Sequence, residues 1–278
     1  MLATPSRSAL LDALAWQVEV GATDAISDHP LDRYALPDRA PWLPAQATPT
    51  APAGRQAPAR EAAPPLPPAP PAPPAPNVDA VAEAEAAAGA AQTLEDLRAA
   101  MEAFPHCPLR QGARQLVFAD GRPGSRAMIV GEAPGREEDE KGLPFVGRAG
   151  RLLDAMFAPV GLSRTAPDPE RALYITNILP WRPPQNRDPK PDEIAMMKPF
   201  LARHVELAQP DLLIAMGNIS CQALLGRRGI TRLRGTWTEA LGLPCLPMFH
   251  PAYLLRNPAA KREAWADVLE VAARLESP

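Results

Sequence analysis

Three side chains of this 278-residue chain have types and neighbours that suit catalysis. Glu132 lies in Gly131-Glu132-Ala133-Pro134-Gly135, where glycines let backbone amides approach a ligand beside a carboxylate. Asn177 opens Asn177-Ile178-Leu179-Pro180-Trp181-Arg182-Pro183-Pro184, a proline-stiffened turn led by an amide with both donor and acceptor capacity. His250 opens His250-Pro251-Ala252-Tyr253-Leu254-Leu255-Arg256, and histidine is the side chain that exchanges a proton near neutrality. Together these groups can orient water, read a hydrogen-bonding edge and donate to a developing anion. Phe145, between Gly142 and Gly147, lies outside any periodic segment, which favours a pocket surface over a core position. Each also has a purely structural reading: a turn histidine, a solvated loop glutamate, a capping asparagine, a core phenylalanine.

The elements that must hold these loops are visible as four short apolar runs, Ala127–Val130, Leu173–Thr176, Leu212–Ala215 and Leu246–Phe249. Turn residues flank them and helix-sized stretches separate them, the alternation of a parallel sheet covered by helices. Residues 149–160 and 192–208 read as helices, the second bent at Pro199, and Asn218–Leu225 as a shorter one ended by Gly226. Ligands of open parallel sheets bind beyond the carboxyl ends of the strands, and Glu132, Asn177 and His250 each follow a run directly. Three restricted polar loops on one edge make a small-molecule or base pocket.

Composition limits how much of the chain packs. Between Pro41 and Pro76 there are 14 prolines in 36 residues, too few large apolar side chains to offset ordering, and the reading is an extended linker over 41–77. Residues 1–40 carry a short amphipathic segment, Ser8–Val20, and residues 78–278 form one domain led by an Ala-rich helix, with its core starting near residue 95. Residues 1–103 hold 6 basic and 13 acidic side chains, and residues 104–278 hold 23 and 19. The overall charge of −3 therefore hides a mildly basic domain, as phosphate contacts require. No apolar run approaches 18 residues and no secretory leader is seen, so the expectation is a cytoplasmic protein without membrane contact. Three scattered cysteines fit a reducing compartment.

Four blocks, GEAPGREEDEKGLPFVGRAGRLLD at 131–154, YITNILPWRPPQNR at 174–187, ITRLRGTW at 230–237 and PMFHPAYLLRN at 247–257, resemble the family-4 uracil-DNA glycosylases, in the family's order over about 170 residues. The resemblance implies an α/β fold, a three-layer α/β/α sandwich on a four-stranded parallel sheet, and hydrolysis of the N-glycosidic bond of uracil in DNA, leaving an abasic site for base excision repair. It implies that His250 donates to uracil O2, that Glu132 orients water or stabilises the cationic sugar, and that Ala133 offers a backbone amide. Asn177 would pair with N3–H and O4, and Phe145 would stack on the flipped base. Leu254, Leu255 and Arg256 would enter the duplex, although Leu254 and Leu255 equally suit the first turn of a last helix. Arg182, Arg187, Arg232 and Arg234 are candidate phosphate contacts.

The family usually holds a four-iron, four-sulfur cluster on four cysteines. By resemblance only Cys107 is kept, since Phe104, Trp181 and Met197 stand at the other positions. One thiolate cannot hold such a cluster, so no cofactor and no metal are expected, with apolar packing in its place. His106 is a candidate substitute ligand, and Cys221 and Cys245 read as buried apolar residues. The expected partner is uracil-containing DNA, bound by a monomer, with residues 1–40 open to a repair or replication protein. A non-catalytic damaged-DNA binder on the same scaffold is the alternative, and a nucleotide-binding module leaves the His250 block unexplained. Gly229–Trp237 lacks the nucleophilic histidine of uracil-crosslinking relatives.

Overall fold

The computed structural model describes residues 79–276. The readings made on residues 1–77 lie outside the described residues. The first helices are α1 (Ala80–Ala90) and α2 (Leu94–Ala103), where the sequence suggests one continuous helix. Thr93 separates them with a reciprocal cap: its hydroxyl accepts the Asp96 amide and the Asp96 carboxylate accepts the Thr93 amide, both at 3.0 Å. Ala84 and Ala88 of α1 are already buried, so the core starts ahead of residue 95.

The sheet has six strands rather than four. Its parallel centre is β2 (Ala127–Gly131), β3 (Leu173–Asn177), β4 (Leu212–Met216) and β6 (Leu243–Met248), and two short strands, β1 (Asp120–Gly121) and β5 (Thr238–Ala240), pair antiparallel along its edges. The order is β1-β3-β2-β4-β6-β5. Central strands bury both faces, which is why their sequences are continuous apolar runs. Met128, Val130, Tyr174, Leu213 and Ala215 face one core, while Ile129, Ile175, Ile214 and Met248 face the other. On the first lie α1, α2, α5 (Pro191–Ala208) and α6 (Asn218–Leu225). On the second lie Leu153 and Phe157 of α4 (Arg148–Phe157) and Val268 and Val271 of α9 (Lys261–Glu276). The result is the expected three-layer α/β/α sandwich, and α5 continues as one helix through Pro199.

Between these elements are three short helices, α3 (Arg136–Lys141), α7 (Ile230–Leu233) and α8 (Pro251–Arg256). The register pairs Gly131 with Asn177, so β2 and β3 end level and release their loops side by side. Parallel bonding continues past the strands, from Ile178 N to Gly131 O and from Leu179 N to Glu132 O, both 3.0 Å. No helix among the described residues is long and apolar enough to cross a membrane.

Candidate active site

A cavity of about 470 Å³ opens at the carboxyl edge of the sheet, lined by Glu132, Ala133, Phe145, Asn177, Arg187, His250 and Arg256 among others. Seven residues singled out from sequence thus meet in one place. Gly131 is what lets them: a methyl group there would overlap both the Asn177 amide oxygen and the Phe145 ring. Asn177 itself is buried at the end of β3.

His250 caps α8. Its Nδ1 accepts the Ala252 amide at 3.1 Å, which leaves the proton of the neutral ring on Nε2. Burial, with help from the Arg256 charge, pushes its pKa down to about 4, so the ring is neutral at physiological pH. The ring lies 5.3 Å from that of Phe145, nearly parallel. Phe145 has a left-handed backbone, φ 53°, uncommon for a bulky residue. Glu138 secures this turn by accepting the Val146 and Gly147 amides at 3.0 Å with one oxygen and the Gly135 amide at 3.1 Å with the other. Arg164 supports the turn from below, donating to Pro144 O at 3.0 Å and to Asp120 and Asp154.

Glu132 is pushed up to about 7, first by burial and then by the charge of Asp188, with Arg228 opposing. Its carboxyl therefore titrates where the cell operates, a property of acid–base residues. Asp188, Arg228, Glu138 and Glu193 escaped the sequence reading. Glu138 and Glu193 carried one usable signal, an acidic residue three positions after a helix cap.

The remaining candidates divide. Leu254 is fully buried in the core, so its predicted entry into a duplex is not met in this structure; on α8 its helical spacing points it inward, and Leu255 and Arg256 stay more accessible. Arg234 is committed elsewhere: it forms an ion pair with the buried Asp267 and lies 5.6 Å over the Phe249 ring. Its guanidinium thereby braces the end of β6 instead of standing free for phosphate. Arg182 donates to Asn186 at 2.7 Å, Arg187 binds Glu193, and Arg232 is exposed on α7. None of Arg182, Arg232, Arg234, Leu254 or Leu255 lines the cavity.

Away from the cavity, Cys107 is buried in one core with Phe104, Trp181 and Met197. The Phe104 ring meets Phe200 edge-on at 5.2 Å, and burial pushes the Cys107 thiol up to about 11. His106 pairs with Glu83 at 2.5 Å. All three cysteines are free and buried, and no group of three or more metal-binding side chains occurs among the described residues.

A family model described as the uracil DNA glycosylase superfamily matches residues 118–269. The chain is 40% identical over 154 residues to a type-4 uracil-DNA glycosylase of Thermotoga maritima, covering 54% of this chain and 77% of that protein. It is 33% identical over 189 residues to the type-4 uracil-DNA glycosylase of Archaeoglobus fulgidus, covering 65% and 92% respectively. A DNA polymerase of Bacillus phage SP01 shares 36% identity over 138 residues, which are 50% of this chain and 14% of the polymerase.

Proposed function

The chain belongs to the uracil DNA glycosylase superfamily, and from that premise we propose that residues 78–278 form a catalytic domain that hydrolyses the N-glycosidic bond of uracil in DNA. The observation that carries this reading is the meeting of a neutral histidine, a carboxyl titrating near 7, a buried amide and an aromatic ring around one cavity beyond the strands.

The steps follow from the chemistry of each group. A uracil inside a duplex is out of reach, so it must first be extruded into the cavity. Phe145 then stacks on its face and Asn177 pairs with N3–H and O4, where cytosine presents the opposite pattern. As the C1′–N1 bond lengthens, its electron pair passes to the base and charge gathers on O2. The His250 Nε2–H donates a hydrogen bond there. Being neutral already, the ring does not need to lose a proton first. Ionised Glu132 stabilises the cationic sugar and orients the water whose oxygen bonds to C1′, and the proton released completes free uracil and an abasic site. Removing one such preorganised donor costs roughly 10²–10³ in rate in comparable sites. Arg256 at the cavity, with Arg182 and Arg232 outside it, supplies positive charge for DNA phosphates, and Leu255 is the apolar side chain we assign to supporting the gap; Arg187 is held by the buried Glu193. Arg234 is kept as bracing.

The residues present do not fit the iron–sulfur cluster of the type-4 pattern. Such a cluster needs four thiolates, and Cys107 is the one cysteine at its four positions. Phe104, Trp181 and Met197 fill the other three positions without a metal-binding atom suited to the group. The fold in this corner rests on apolar packing, and no step of the reaction passes through a metal. The enzyme acts as a cytoplasmic monomer on uracil-containing DNA, with residues 1–40 available to a repair or replication protein.

The test is excision from a labelled uracil oligonucleotide, single- and double-stranded, followed by alkali cleavage, with the absorption spectrum of the same sample recorded. Cleavage without iron–sulfur absorbance is expected. Folded protein that cleaves neither substrate overturns the glycosylase reading, and a brown, cluster-bearing sample overturns the packing argument.

A further inference from the structure

Glu193 stands in the first turn of α5 with 0% of its surface exposed, although Lys190-Pro191-Asp192-Glu193 reads as an ordinary acidic helix start. A carboxylate that deep is unfavourable unless its oxygens are fully used. Oε1 accepts from Arg187 Nη2 at 2.5 Å, and Oε2 accepts from Arg187 Nη1 at 2.9 Å and from the Lys190 amide at 2.8 Å. Despite its burial, the arginine fork and the amide hold this carboxyl below its ordinary range. Arg187 also donates to Asp188 O at 2.9 Å, and Arg187 and Asp188 both line the cavity. The same segment contains two successive left-handed residues, Gln185 at φ 56° and Asn186 at φ 54°. Such a pair persists only where its surroundings over-determine it. Arg182 holds one side through Asn186, and the fork to Glu193 holds the other.

We infer that Glu193 is a positioning residue: through its fork to Arg187 it fixes the 183–188 wall of the uracil cavity, and with it the place of Asp188 opposite Glu132. This deepens the glycosylase reading and rests on it. Glu132 is faced by Asp188 from this wall and by Arg228 from the loop after α6. The other titratable or charged groups around the cavity are Glu138, Arg187, His250, Tyr253 and Arg256. Burial and Asp188 both push Glu132 up. Releasing the wall admits water and lets Asp188 move off, so both causes weaken and Glu132 falls from about 7 toward its ordinary 4.5.

The experiment uses the full chain with Glu193→Gln, which places an amide nitrogen against the guanidinium and breaks the fork. Single-turnover uracil excision is measured against pH, and the Glu132 carboxyl is titrated by carbon-13 NMR, which needs no turnover. The expected result is a downward move of about one pH unit or more in both the acid limb and the NMR titration. The plateau rate is expected to fall about ten-fold as the wall loosens. Arg187→Lys, which also cannot form the fork, is expected to reproduce the shift, and the double variant to add little to it. Arg187→Lys carries the test by itself if the Gln variant does not fold. A Glu132 titration identical in wild type and variants, with only the thermal midpoint lowered, overturns the proposal and leaves Glu193 a purely structural residue. Wild-type protein that excises no uracil overturns the glycosylase reading instead, whatever the titration shows.

Discussion

Two histidines of this chain stack on phenylalanines, and burial keeps both neutral. His250 lies 5.3 Å from the Phe145 ring and is pushed down to about 4; His204 lies 4.4 Å from the Phe118 ring and is pushed down to about 3. The difference is what their second nitrogens meet. His204 Nε2 is closed off by the Tyr174 hydroxyl at 2.9 Å inside the core, and 2% of its surface is exposed. His250 spends Nδ1 on the Ala252 amide and keeps Nε2–H for a cavity. A shifted proton affinity therefore marks burial in both places, and only access to a cavity turns it into chemistry.

The comparison is broken most directly at His250. His250→Ala is expected to lower single-turnover excision roughly 10²–10³-fold while stability falls only by the loss of one helix cap, about 1 kcal/mol; an active variant would remove His250 from the mechanism. Next comes Gly131→Ala, whose methyl invades the space of Asn177 and Phe145. We expect uracil affinity, read as KM or product inhibition, to weaken about 100-fold, with the circular dichroism spectrum retained. The pH profile follows. Glu132 works ionised, so kcat/KM should fall about ten-fold per pH unit below about 7, with no limb from His250 above its value near 4. A profile flat from pH 5 to 8 removes Glu132 from the chemistry.

His204 sharpens the contrast from the other side. His204→Leu leaves the Tyr174 hydroxyl unpaired and should cost about 1–3 kcal/mol in urea unfolding at pH 7.5, with excision within about two-fold of wild type. Its folded pKa is depressed, so its neutral ring contributes stability above the ordinary 6.5 that is lost as pH falls toward about 3. The variant should accordingly lose less stability than wild type between pH 6.5 and 3. Glu132 has the opposite sign: raised to about 7, it contributes stability below 4.5 that is lost as pH rises through 7. Glu132→Gln should thus be the more stable protein at pH 8, by on the order of 2 kcal/mol or less given screening at the cavity mouth, and no more stable at pH 4.

How much of this was legible in the sequence depended on how far each feature is local. Runs such as Ala127–Val130 and Leu212–Ala215 announce buried parallel strands because both faces are covered. β6 starts at Leu243, three residues ahead of the apolar run Leu246–Phe249, and carries Pro244 and Pro247; β5 pairs only with Leu243–Cys245, so one flank of Pro247 has no strand to bond. Two- and three-residue edge strands carry no periodicity to detect. Glu132, Asn177 and His250 are legible because they stand at or just past the carboxyl ends of apolar runs. Glu138 and Glu193 look like surface charge, and only the loop amides and the arginine they satisfy explain why Glu138 is half-buried and Glu193 buried. Leu254 and Leu255 are adjacent apolar residues, and which of them turns inward is set by the phase of α8.

The edge strands carry one last consequence. The parallel centre is flanked by Asp120–Gly121 on one side and Thr238–Ala240 on the other, each running the opposite way and stopping within a turn or two of residues. A foreign strand approaching either side finds a template too brief to zip along. The folded sheet is thereby a poor template for joining edge to edge with another copy.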